Sequence, residues 1–166
     1  MINFFGKLIL TMFNIGKLSK FPGTIASAIT SVLYIIFFYF KIHYLTLFVI
    51  FFLLLLISIY LIEILENEFE EIDSKEIVID EYLGQSIPIL FFYVILFEAL
   101  TSIDFFMIIV LISFIGFRFF DILKPFPINY IDYNYKNGFG VVFDDIVAGI
   151  FTTIVLYIFI NIYDKF

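Results

Sequence analysis

Residues 44–62, YLTLFVIFFLLLLISIYLI, run for 19 positions without one charged side chain. The hydrocarbon core of a bilayer is about 30 Å thick and takes roughly 20 apolar residues of helix to cross, so this segment reads as a membrane-spanning helix. Further apolar stretches lie at about 24–40, 82–97, 105–117 and 146–163, with polar loops between them. The stretch at 105–117 is short for a span, and Phe119, Phe120, Ile122 and Leu123 beyond Arg118 lengthen it. Phe, Ile and Val abound in these runs, yet an open sheet would leave unpaired edges in lipid, and the ten-residue alternation of a membrane barrel is absent. The expectation is an all-α, multi-pass membrane bundle of four to five helices.

Composition agrees. The chain is 63% hydrophobic and 15% charged, against roughly 45–50% and 25% in soluble domains. Five spans take about 100 of the 166 residues, so a single membrane domain over 1–166, with no separate soluble unit, is expected. A net charge of −7 speaks against a nucleic-acid partner, whose binders concentrate basic surface. With no cysteine and one histidine, His43, thiolate zinc sites, disulfides and a cysteine nucleophile are excluded. Residues 1–16 carry Lys7 inside an apolar run and no small-residue cleavage site, which suggests an interfacial segment lying along the membrane rather than a removable signal peptide. Nothing in the pattern calls for an obligate protein partner.

Short loops on the cytoplasmic side of a membrane are enriched in Lys and Arg. With the N-terminus inside, the inner face holds Lys7, Lys17, Lys20, Lys75, Arg118, Lys124 and Lys136, and the outer face holds only Lys41 and Lys165. This topology places three polar clusters at the cytoplasmic face: Phe21-Pro22-Gly23-Thr24, the segment 79–84 with Asp80 and Glu81, and the stretch 118–149. Three helices begin there, and helix N-termini carry unpaired N–H groups that attract anions such as phosphate. Gly23 allows close backbone approach, and the Thr24 hydroxyl is available as a donor or cap.

Asp80-Glu81 and Asp144-Asp145 sit directly before apolar runs. One acid suffices to cap a helix; a second beside it costs repulsion and desolvation near the membrane, so two such pairs suggest a cation that offsets them. Together with Asp121 they make an oxygen-only donor set suited to magnesium. Arg118 and Asp121, three residues apart, share one helix face: an ion pair, or a phosphate-gripping fork with Lys124 one turn on. Asn137-Gly138-Phe139-Gly140 reads as a flexible loop whose amides, at Gly138 and Gly140, could approach a ligand. His43 falls at the opposite face, and the acidic segment around 63–76 is assigned no chemistry.

The order Pro22-Gly23-Thr24, Asp80-Glu81 with Gly84, Arg118-x-x-Asp121, Lys124-Pro125-x-Pro127, Gly138-x-Gly140 and Asp144-Asp145-x-x-Ala148-Gly149 resembles the phosphatidylglycerophosphatase A family over roughly residues 15–151. The resemblance implies a magnesium-dependent lipid phosphatase of the bacterial inner membrane, with its site facing the cytoplasm, that converts phosphatidylglycerol phosphate to phosphatidylglycerol and inorganic phosphate. It implies metal and catalytic roles for Asp80, Glu81, Asp121, Asp144 and Asp145, and substrate contacts for Thr24, Arg118, Lys124, Gly138 and Gly140. Asp132 also fits the family pattern. Departures fall at Ser19, Ala26, Asn129, Tyr133 and Asn137, where the family often has proline, glycine, basic residues and a second glycine. With no cysteine, and His43 remote, an aspartate serves as base or as covalent nucleophile. Two other readings compete: a CDP-alcohol phosphotransferase-like enzyme, whose usual Asp-Gly opening is absent, and a small cation transporter, disfavoured because carboxylates avoid the middle of four of the five spans.

Overall fold

A computed structural model describes residues 2–17, 20–69, 74–99 and 102–163. Ser19 and Lys165 lie outside the described residues. The described chain is all helical: α1 Ile2–Leu10, α2 Pro22–Tyr39, α3 Tyr44–Ile64, α4 Ile79–Glu98, α5 Ile103–Leu123, α6 Ile128–Asn134 and α7 Gly138–Tyr163. Five of them, α2, α3, α4, α5 and α7, are long and apolar enough to cross a membrane, so the upper count of the expected bundle is met.

Boundaries differ from those that hydropathy suggests, in ways that matter for the site. The fourth span takes its longer form, as expected: α5 runs through Arg118 and Asp121 to Leu123. Helix α7 starts at Gly138, not near 146, so Asp144 and Asp145 sit inside the helix rather than ahead of it. Asp80 and Glu81 are likewise within the first turn of α4, whose N-cap is Val78. Charge inside a span is costly, which is why a run of acids looks like a break between helices. Here the helix tolerates them, since they turn inward onto partners instead of facing lipid.

The least hydropathic span is the most buried, and the most hydropathic is among the least. Helix α3, the most apolar, exposes Leu45, Val49, Phe52, Leu53, Leu56 and Tyr60, whereas α4, which carries Asp80, Gln85 and Ser86, is the central helix and packs against α2, α3, α5 and α7. Lipid is as apolar as leucine, so apolar side chains gain little by leaving it, while polar groups must find partners inside. The buried hydroxyls of Ser27, Thr30, Ser31, Ser86 and Thr152 each donate to a carbonyl four residues earlier in their own helix. Small residues close the central interface: Gly84 on α4 meets the backbone of Asp145 on α7, and Gly149 meets the Gly84 carbonyl.

Successive spans alternate in direction, so the starts of α2, α4 and α7 and the ends of α3 and α5 share one end of the bundle. At the other end, Tyr93 is fully buried, stacks on Phe97, packs edge-on against Phe38 and Phe106, and donates its hydroxyl to the Ile42 carbonyl at 2.7 Å. Tyr93→Phe leaves that carbonyl without its donor and is expected to cost about 1 kcal/mol, read as a lower unfolding midpoint in detergent; an unchanged midpoint would show the bond contributes nothing. His43 caps α3 at this same end, its Nδ1 accepting from the Leu45 amide at 3.3 Å beside Phe97. It is separated from the start of α2 by that helix's length of about 27 Å.

Candidate active site

Asp80 and Glu81 are the second and third residues of α4, and Asp145 is the eighth of α7. Gly84 brings these two helices together: a Cβ at that position would lie only 2.6 Å from the Asp145 carbonyl, so only glycine permits the approach. One carboxylate oxygen from each of Asp80, Glu81 and Asp145 then lies within 4.8 Å of the other two. Asp80 and Asp145 are buried, and Glu81 Oε2 is wholly covered with no hydrogen-bond partner among the described residues. Three carboxylates at this spacing, away from bulk water, cannot all stay ionised without a compensating cation. Three carboxylate oxygens gathered in this way, on side chains largely withdrawn from solvent, are the donor set a hard cation takes.

The end of α5 supplies the cation and the fourth acid. Arg118 Nη1 forms an ion pair with Asp121 Oδ2, one turn along the same helix face, and both side chains are largely covered. Arg118 Nε, also covered, has no hydrogen-bond partner among the described residues. Across from them, Gly23 in the first turn of α2 has no room for a Cβ: it would run into Glu81 Oε1 and sit 3.3 Å from Arg118 Nη1. Glycine at this position is what lets the start of α2 abut both side chains. Thr24 does not cap α2. The N-cap is Phe21, which makes no side-chain cap bond, and Thr24 sits half-buried in the first turn.

Lys124 ends α5 in the left-handed conformation, φ 41° and ψ 58°. A non-glycine residue there costs on the order of 1 kcal/mol or more. Its ammonium lies 2.7 Å from Asp144 Oδ2 and 3.2 Å from Asp132 Oδ1, and Lys136 backs Asp132 at 3.5 Å. Burial works against the Lys124 charge, but the carboxylates of Asp144 and Asp132 outweigh it and hold the ammonium above the ordinary lysine range. All five expected acids therefore gather at one end of the bundle in two groups: Asp80, Glu81 and Asp145 together, and Asp121 and Asp144 each bound to a cation.

Gly138 and Gly140 do not form a flexible loop. Asn137 Oδ1 accepts from the Gly140 amide at 2.9 Å, the geometry of an asparagine N-cap, and the two glycines make the first turn of α7. A Cβ at Gly138 would meet the Ile59 carbonyl of α3 at 2.5 Å, and one at Gly140 would overlap the Tyr135 carbonyl. Both glycines serve helix packing. The asparagine cap is legible in the sequence, but its glycine neighbours mask it.

A family model described as phosphatidylglycerophosphatase A matches residues 8–160. The chain belongs to the phosphatidylglycerophosphatase A family. Among relatives, the phosphatidylglycerophosphatase A of Haemophilus influenzae is 42% identical over 85 residues, covering 51% of this chain and 46% of the relative. That of Escherichia coli K12 is 35% identical over 85 residues, covering 51% and 44%. A protein of Bacteroides thetaiotaomicron named putative phosphatidylinositol-3-phosphatase is 34% identical over 84 residues, covering 51% and 47%. The chain spans about half the length of the relatives it matches. No solved structure matches it.

Against the usual residues of the phosphatidylglycerophosphatase A family, Ala26 is fully buried in α2 and Asn137 is the α7 cap. Asn129 and Tyr133 are exposed on α6, so neither is part of the gathered acids. One polar residue gives no warning in the sequence. Gln85, one turn beyond Glu81 on α4, is fully buried, and neither amide atom has a partner among the described residues. A glutamine in an apolar run carries no signal of its own.

Proposed function

We propose that this chain is a membrane lipid phosphatase that hydrolyses phosphatidylglycerol phosphate to phosphatidylglycerol and inorganic phosphate. The observation that carries the reading is the meeting of Asp80, Glu81 and Asp145 within 4.8 Å, next to the Arg118–Asp121 pair. Family membership supports the same reaction class. Asp80, Glu81 and Asp145 would hold a magnesium ion, a hard cation that takes oxygen ligands and commonly shares them with substrate phosphate. When bound, it supplies Lewis-acid polarisation of the phosphoryl oxygens.

The remaining groups bind and orient. Asp121 holds the Arg118 guanidinium beside the acids, where it would pair with phosphate oxygens, and the first-turn amides of α2, with the Thr24 hydroxyl, would add neutral donors. Asp144 holds Lys124 beside the acids, where the ammonium offsets charge on the equatorial oxygens. Water adds to phosphorus as one of the carboxylates takes its proton, the bond from phosphorus to the glycerol oxygen breaks, and that oxygen takes up the proton to leave as the free headgroup hydroxyl. Gly138 and Gly140 are given no substrate role. Seven of nine basic residues on one side favour a site facing the cytoplasm, with acyl chains remaining in the inner leaflet of the bacterial membrane.

A second reading keeps the chemistry and changes the headgroup, because one relative is named a putative phosphatidylinositol-3-phosphatase. Purified full chain in mixed micelles, given each lipid with magnesium or with a chelator, decides between them. Release of inorganic phosphate from phosphatidylglycerol phosphate, stopped by the chelator, is expected; release only from phosphatidylinositol 3-phosphate, or from neither, would overturn the proposal. Arg118→Ala removes charge-assisted hydrogen bonds worth about 1.5–3 kcal/mol, so KM rises about 10- to 100-fold with a smaller change in kcat. An unchanged KM would leave Arg118 as a structural partner of Asp121 alone.

A further inference from the structure

Lys124 is built in from both sides. Its left-handed backbone turns the chain off the axis of α5, and its ammonium is held between Asp144 of α7 and Asp132 of α6, at 2.7 and 3.2 Å. A lysine ammonium has three N–H donors in a compact cluster. Two are directed to these carboxylates, which leaves the third for an incoming group. Asp144 is covered, adjoins Asp145 in the chain and receives the Asp145 amide on its own Oδ1 at 3.0 Å, so its position is tied to the acids. Asp132 is different: it comes from a separate short helix, is about one-third exposed, and is shared with Lys136 at 3.5 Å. Without it the ammonium would rest on Asp144 alone and be free to swing about that one contact.

We propose that Asp132 is a positioning residue: by holding Lys124 opposite Asp144, it aims the remaining N–H of the ammonium at the phosphate of the substrate. This rests on the phosphatase reading of the same site. Lys136, paired to the same Asp132 oxygen and well exposed, keeps that carboxylate in place without reaching the acids itself.

The test uses the full chain in detergent with two readouts. In the first, binding of inorganic phosphate is measured by titration calorimetry. Asp132→Asn is expected to weaken it about tenfold, and Asp132→Glu, which restores the charge, to return it to within about threefold of the unmodified chain. In the second, hydrolysis of phosphatidylglycerol phosphate is followed, and Asp132→Asn should raise KM about tenfold with kcat within about threefold. Equal phosphate affinity in Asp132→Asn, no recovery in Asp132→Glu, or no phosphate binding by the unmodified chain would overturn the proposal. Phosphate binding that responds to Asp132 in a chain that releases nothing from the lipid would instead sink the lipid-phosphatase reading and leave the positioning role standing.

Discussion

If the chain carries out the proposed reaction, Asp145→Asn is expected to lower phosphate release from phosphatidylglycerol phosphate by at least about 10³-fold, equivalent to about 4 kcal/mol of transition-state stabilisation. The substitution keeps shape and volume and removes one charge from a group of three carboxylates within 4.8 Å. An amide oxygen is a poor replacement for a carboxylate as a ligand to a hard cation, and Asp80 and Glu81 alone are left to hold it. Folding is not impaired, because the change relieves repulsion among buried acids rather than adding to it. Loss of activity with an unfolding midpoint in detergent that is unchanged or raised is the expected pair of results. Activity within tenfold of the unmodified chain would remove Asp145 from the site.

Gly84→Val acts on the same atoms through the fold. A Cβ at Gly84 would sit 2.6 Å from both the Asp145 carbonyl and Phe117 Cε2, distances that force α4 away from α7 and α5. Overpacking of this kind costs about 1–3 kcal/mol, more where backbone must move. The displaced α7 carries Asp145 away from Asp80 and Glu81, and a shift of about 1 Å in a reacting constellation can cost about 10²-fold. A lower unfolding midpoint together with at least that loss of phosphate release is expected. Gly84→Ala should fall between. Full activity and stability in Gly84→Val would mean the two helices are not in contact at this turn.

Legibility in the sequence differs between the spans and the site. Apolar length identifies all five membrane-spanning helices, because crossing hydrocarbon imposes one requirement that side-chain polarity reports directly. It misplaces the ends that bear function. Hydropathy sets Asp144 and Asp145 ahead of the last helix, since it scores a charge without knowing its partner, and the partners here come from beyond the helix itself: Lys124 for Asp144, and the neighbouring acids for Asp145; the i, i+3 spacing of Arg118 and Asp121 places them correctly on the end of α5. The convergence of the acids at one end follows from topology alone, by alternation of the spans. Their division into a set of three and two cation-bound members does not, because it depends on the close approach of Gly84 to α7 and of Gly23 to Glu81. Glycine in a sequence signals a loop as readily as a packed interface, which is also why Gly138 and Gly140 look like a loop and prove to be helix.

Binding of manganese, a paramagnetic stand-in for magnesium, to the purified chain tests the central claim most directly, since it needs neither substrate nor turnover. Its electron paramagnetic resonance signal should show saturable binding that is lost or weakened at least about tenfold in each of Asp80→Asn, Glu81→Gln and Asp145→Asn. No saturable binding in the unmodified chain, or binding that all three substitutions leave intact, would contradict a metal site built from these three carboxylates.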